Sequence, residues 1–177
     1  DGKIATITDD LTTLSLKQAR HPLIDPDQVV ANDIELQAPY CLLLITGSNT
    51  GGKTVTLKTT GLLAMMALSG LAIPVKEATI PFYDAIYCDL GDEQSIEQSL
   101  STFSSHIKKI ISILDNVTHR SLVLIDEIGS GTDPREGESL AQAILDRLLE
   151  YHCHVLSSTH YSGLKKYAQE NPNVLYA

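Results

Sequence analysis

The residues Gly47, Ser48, Asn49, Thr50, Gly51, Gly52, Lys53 and Thr54 fit the pattern G-x-x-x-x-G-K-[ST] at every fixed position. Glycines let a backbone curl so that successive N–H groups face one hollow. A lysine closing the curl brings a point charge to the β- and γ-phosphates of a polyphosphate. The threonine beside it offers a hydroxyl to Mg²⁺. The pattern therefore points to nucleotide binding, against the alternative of a glycine-rich turn with a chance lysine.

Three further groups could complete such a site. Asp126 and Glu127 close the apolar run Ser121-Leu122-Val123-Leu124-Ile125. An aspartate at the carboxyl end of a buried strand lies at the same sheet edge as a phosphate loop and can hold Mg²⁺. Its neighbour Glu127 points differently and can take a proton from an attacking water. His160 follows another apolar run, Val155 to Thr159. It is either a structural strand-end histidine or a donor to the γ-phosphate or water. The hydroxyls of Ser99-Leu100-Ser101-Thr102-Phe103-Ser104 sit where a helix begins. They form either a second anion site or a plain N-cap, with Ser101 or Thr102 capping. The run His152-Cys153-His154 is not a metal motif, because adjacent strand residues face opposite sides.

These groups need strands and helices to hold them. Cys41 to Ile45 has the length of a buried strand. Val55 to Ser69 is helix-compatible and ends at Ser69-Gly70. Strand, glycine loop and helix are the context a phosphate loop requires. Lys3 to Ile7 and Ser15 to Lys17 are weakly strand-like, Asp25-Pro26-Asp27 is a turn, and Asp33 to Gln37 alternates as a half-exposed strand. Thr79 to Phe82 and Ala85 to Leu90 read as strands. From Ser101 onward, Phe103, Ile107, Ile110, Ile111 and Leu114 recur at helical spacing. Glu136 to Tyr151 is an amphipathic helix, and Ser162 to Glu170 a short one. Asn173 to Ala177 looks like a strand cut short. Strands alternating with helices predict an α/β fold with a mostly parallel sheet covered on both faces.

Composition sets the outer limits. The chain has 177 residues, with 43% hydrophobic and 20% charged, enough for one α/β domain with a real core. A net charge of −9 argues against a broad nucleic-acid footprint on this chain alone. The three cysteines, Cys41, Cys88 and Cys153, have no paired spacing and suit a reducing, cytoplasmic compartment. The apolar stretch Gly61 to Val75 is broken by Ser69, Gly70 and Pro74, so no membrane span is expected. A start without methionine suggests a domain excised from a longer protein, with residues 1–14 as the end of a preceding region or a lead-in strand and 15–177 as the domain proper.

The phosphate loop, the segment Gly91 to His106, the stretch Asp126-Glu127-Ile128-Gly129-Ser130-Gly131-Thr132-Asp133-Pro134 and the run Ser158-Thr159-His160-Tyr161 together resemble the ATPase domain of the MutS family. Arg20-His21-Pro22 resembles that family's entry into the domain. The details look most like the bacterial MutS-two branch. The resemblance implies an ABC-type P-loop ATPase using ATP and Mg²⁺, with Lys53, Glu127 and His160 in catalysis and with Thr54 and Asp126 on the metal. It implies nucleotide contacts from Gly47 through Val55. It further implies a head-to-tail homodimer with ATP at the interface, where Ser101 reaches the γ-phosphate held by the other subunit and Gly129 to Asp133 crosses the interface. Adenine is expected near Val29 and Val30, although relatives often carry an aromatic where Val29 stands. Ser48 stands where a proline is usual. Through domains outside this chain, the branch is linked with branched DNA, suppression of recombination and rescue of collided ribosomes.

Other functions fit the same loop. One is an ATP-gated dimerisation switch with negligible turnover. Another is a small-molecule phosphotransferase, disfavoured by the acid pair and by the lack of an arginine-rich lid. A transporter ATPase would use a glycine-rich signature where this chain has serine and threonine.

Overall fold

The structure, a computed structural model, describes residues 2–48, 52–91 and 99–177. Its strands are β1 (Thr6–Thr8), β2 (Thr13–Ala19), β3 (Asn32–Gln37), β4 (Leu42–Ile45), β5 (Glu77–Pro81), β6 (Ala85–Asp89), β7 (Ser121–Ile125), β8 (His154–Ser158) and β9 (Val174–Tyr176). The helices are α1 (Lys53–Leu68), α2 (Ser99–Asn116), α3 (Pro134–Leu149) and α4 (Gly163–Glu170).

The main sheet is five-stranded, in the order β6-β7-β8-β4-β9, and every pairing in it is parallel. Its side chains alternate between two cores, as the strand period of two requires. Leu42, Leu44, Val123, Ile125 and Val155 face the layer formed by α2, α3 and α4. Leu43, Leu122, Leu124 and Leu156 face the opposite way, toward α1. Because both faces are covered, β4 and the last four residues of β7, Leu122 to Ile125, are continuously apolar rather than alternating.

A second sheet extends the expected architecture. Four strands in the order β1-β5-β2-β3 pack on the far side of α1, mostly antiparallel, with β1 and β5 parallel. Leu14, Leu16, Ile34, Leu36 and Ile80 of this sheet join Leu57, Leu63 and Ala64 of α1 in one core. Helix α1 is thus wedged between two sheets, which accounts for its small buried residues Thr59, Thr60, Gly61, Ala64 and Ala67. The Thr60 hydroxyl returns to the Thr56 carbonyl at 2.8 Å, so its burial leaves no unpaired donor.

Several boundaries differ from the sequence expectation. Helix α3 starts at Pro134, because Asp133 caps it by accepting the Arg135 N–H at 3.0 Å and proline fits the first helical position. Helix α2 runs from Ser99, so Ser101 and Thr102 lie inside it and not at its start. Cys88 is exposed on the edge strand β6, whereas Cys153 is buried.

One buried polar pair ties the base of the main sheet to the loop leaving the small one. The Tyr83 hydroxyl lies 2.7 Å from His154 Nδ1, and both residues are buried. Burial holds the Tyr83 phenol protonated, so it donates to the ring nitrogen. Burial also pushes the His154 imidazole down to about 4 from its usual 6.5. Between these two values the unfolded chain binds a proton that the folded chain refuses. Stability therefore falls as pH drops through that window. We expect the urea midpoint to decline from pH 6.5 to pH 4 and the slope to flatten in His154→Asn. A His154 NMR titration with a midpoint near 6.5 rules this out.

Candidate functional site

The site forms where β4, β7 and β8 end side by side. Ile45 is in register with Ser158, and Ile125 with Ser157. The residues just beyond these strand ends are therefore neighbours in space: Gly47 after β4, Asp126 and Glu127 after β7, Thr159 and His160 after β8.

After β4 the chain turns into α1. Gly52 precedes the helix at φ +76, a left-handed conformation that glycine adopts at little cost. No side chain caps α1 and no acid stands in its first turn. The first backbone N–H groups and the positive end of the helix dipole thus remain available to an anion. Asn49, Thr50 and Gly51 lie outside the described residues.

Lys53 is buried to 5% exposure. Its ammonium donates to the Gly47 carbonyl at 2.8 Å and to the Thr159 carbonyl at 3.4 Å. Among the described residues no carboxylate forms an ion pair with it. A buried cation resting on neutral carbonyls next to a helix N-terminus favours an incoming polyanion.

On the other side of α1's first turn, the Thr54 hydroxyl donates to Asp126 Oδ2 at 2.7 Å. Asp126 is itself buried. Its second oxygen accepts from the Ser158 hydroxyl, and that same hydroxyl accepts the Glu127 N–H at 2.7 Å. Ser158 thus links both acids. Glu127 has φ +48, uncommon outside glycine, and its backbone is tied down on both sides. Ile128 N–H reaches the Ser158 carbonyl at 3.1 Å, and Ser130 N–H reaches the Glu127 carbonyl at 3.1 Å. The turn exposes the Glu127 side chain while Asp126 stays buried.

The donor set of Thr54 and Asp126 suits Mg²⁺. Both are hard oxygen ligands, and their 2.7 Å separation is close to the spacing of about 2.9 Å between neighbouring ligands of an octahedral Mg²⁺. Such a site needs only one or two protein groups, with phosphate and water supplying the rest.

Other expected residues fall around this centre. His160 is exposed, one residue beyond the carbonyl that receives Lys53. Val29 and Val30 share a cleft of about 380 Å³ with His21, Gln28, Gly52 and Val55, beside the start of α1. Ser48 lies in the loop between β4 and α1 and is exposed. Ser101 is carried on α2. The next turn of α2 is fixed to the acid strands: His106 Nδ1 lies 2.7 Å from Asp89, whose carbonyl accepts the Asp126 N–H at 2.8 Å. Phe103 of α2 packs against Gly131 of the loop that follows Glu127.

Sequence reasoning assigned no role to Ser158, Asp89, His106 or Tyr161. All four stand inside the quoted stretches or next to them, but their partners are far off in sequence and become visible only once strand order is fixed. Ser158→Ala would leave the Glu127 N–H without its acceptor and Asp126 Oδ1 without its donor, the Thr54 hydroxyl remaining on Oδ2. Its expected cost is about 1–3 kcal/mol in a denaturant titration, with Ser158→Thr recovering part of it. A loss within measurement error means that the hydroxyl holds neither acid.

Comparison with known proteins agrees with this geometry. MutS domain V matches residues 43–177. The chain is 57% identical over 166 residues to "Endonuclease MutS2" of Lactobacillus helveticus, covering 93% of this chain and 21% of that protein. It is 53% identical over 174 residues to "Endonuclease MutS2" of Clostridium perfringens, covering 98% and 22%. "Putative endonuclease MutS2" of Bacillus subtilis is 55% identical over 172 residues, covering 97% and 22%. The chain thus spans about a fifth of the length of the curated relatives it matches. With a parallel sheet, a phosphate loop opening α1 and paired acids at the next strand end but one, this chain belongs to the MutS family as its domain V, an ATP-binding P-loop ATPase of ABC type.

Proposed function

We propose that the domain hydrolyses ATP with Mg²⁺ where β4, β7 and β8 end, and that it works as a head-to-tail homodimer within a longer DNA-processing protein. The observation that carries this reading is the unbroken linkage Thr54–Asp126–Ser158–Glu127 beside the buried Lys53 ammonium. MutS-family ATPase domains dimerise, and two copies of this one would enclose ATP between them.

The residues then divide the work. The α1 N–H groups and Lys53 receive the β- and γ-phosphates; Val29, Val30 and Val55 line the place for adenine. Thr54 and Asp126 hold Mg²⁺, which neutralises phosphate charge when bound. Glu127 accepts a proton from water as its oxygen forms the new bond to the γ-phosphorus and the bond to the β-γ bridging oxygen breaks. Charge gathering on the departing ADP oxygen falls to Lys53 and the helix N-terminus. His160 stands at the γ-phosphate rim, and Ser101 serves the other subunit's nucleotide.

We read residues 1–14 as a lead-in to the domain at 15–177 that is joined to it in one sheet, since β1 pairs with β5 and β2 runs across residue 14. Binding of branched DNA, suppression of recombination and ribosome rescue would run through segments beyond this chain, in the cytoplasm. The nuclease activity in the relatives' names would also reside there. In this chain no described helix is long and apolar enough to cross a membrane.

Glu127→Gln should retain ATP and slow phosphate release by about 10²-fold or more, as loss of a general base requires. Unchanged turnover would assign the base elsewhere. Turnover that is negligible in the parent as well would favour an ATP-gated switch.

Mixing tests the dimer. Lys53→Ala and Ser101→Arg each spoil both sites of their homodimers. A mixed dimer carries one site with neither defect if Ser101 acts across the interface, and none if it serves its own chain. Partial recovery of ATPase that rises with total protein concentration is the expected result. No recovery, with mixed dimers shown to form, contradicts it.

A further inference from the structure

The loop after Glu127 is sewn to the end of β8 at three points. Two are the Glu127 and Ile128 N–H groups on Ser158. The third lies farther out: the Tyr161 hydroxyl donates to the Gly129 carbonyl at 2.8 Å. Tyr161 is buried, and burial first, then the Glu138 and Asp133 carboxylates, push its phenol up. It is therefore a lasting donor. The ring also leans on His160, with centroids 4.4 Å apart, and Tyr161 N–H is turned back onto the Thr159 hydroxyl at 3.0 Å.

The chain gives up side chains to make this contact. Gly129 has φ +79, and a Cβ there would run into the Gly137 carbonyl of α3. A Cβ at Gly137 would strike both the Tyr161 hydroxyl and the Gly129 carbonyl. Two glycines thus allow the loop, the first turn of α3 and the tyrosine to meet at backbone distance.

We propose that Tyr161 is a positioning residue that clasps the loop Gly129 to Asp133 to the strand end bearing His160, so that a change at the γ-phosphate rim reaches the face presented to a second copy. This rests on the reading above, in which His160 adjoins the γ-phosphate and that loop lies at the dimer interface. Neither Tyr161 nor Gly137 touches nucleotide in that scheme. Ring contact links His160 to Tyr161, and the hydroxyl links Tyr161 to the loop. A merely space-filling aromatic would keep the first link without needing the second.

Tyr161→Phe separates these roles, because it keeps the ring and removes one oxygen. Three quantities are read in the protein: affinity for a non-hydrolysable ATP analogue, kcat and KM for ATP, and hydrogen exchange of the amides at 129–133. Analogue-driven self-association is measured alongside. We expect analogue affinity within about twofold of the parent, kcat lower by about tenfold with KM little changed, faster exchange confined to the loop, and weaker association. Gly137→Ala, whose Cβ would displace both the hydroxyl and the Gly129 carbonyl, should show the same changes at least as strongly. The double variant should fall well short of the product of the two effects. Thr132→Arg places a charge on the loop and checks the underlying reading. If it blocks association while Tyr161→Phe matches the parent in kcat, exchange and association, the clasp is overturned and the interface stands. If Thr132→Arg associates like the parent, the loop is not at the interface and the proposed transmission falls with that reading. Should Tyr161→Phe fail to fold, Gly137→Ala is judged by the same outcomes.

Discussion

The site depends on strand register. β8 lies between β4 and β7, with Ile45 beside Ser158 and Ile125 beside Ser157. That offset brings the Thr159 carbonyl to Lys53 and the Ser158 hydroxyl to the two acids. A slip of one residue would turn Ser158 to the opposite face of the sheet, because side chains alternate. It would also set Val155 and Leu156 against the wrong cores. The apolar packing of the sheet and the geometry of the site are therefore fixed by the same pairing.

Much of this was legible in the sequence because it is local. The apolar runs that became β4, β7 and β8 and the phosphate loop carry their signals within a few residues. The second sheet was less so. β1 is three residues long and β2 is interrupted by polar side chains. Their identity comes from pairing with β5, on the far side of α1 in sequence, which no local pattern encodes. The same limit hid the roles of Ser158 and His106. A serine in a strand and a histidine on a helix look ordinary until topology places Asp126 and Asp89 against them. At α2 local propensity misled, since Ser101 looks like a helix cap and lies inside the helix.

The buried polar groups show how the fold carries charge inside. Asp126 is shared between two hydroxyls, and Asp89 meets His106, with Lys109 a further 3.9 Å contact. His154 is left neutral against Tyr83. Each arrangement removes the cost of an unpaired buried group by a different route: shared hydroxyl hydrogen bonds, an imidazole contact with a lysine ammonium nearby, or loss of the charge. Lys53 is handled differently. Carbonyls satisfy its hydrogen bonds without cancelling its charge, which leaves a positive potential where a polyanion would sit.

Helix α1 has little room on either side. Beside Leu57 and Leu63, its buried positions between the two sheets include Thr59, Thr60, Gly61, Ala64 and Ala67, none larger than threonine. A bulkier residue at any of them would prise the layers apart and tilt the helix whose first turn faces the phosphates. Substitutions in α1 should therefore be filtered by volume long before they are filtered by chemistry. Drift is left to its outward-facing positions, such as Met65. In a map of tolerated mutations this helix would appear as a narrow ridge of small residues, constrained as tightly as the loop that it carries.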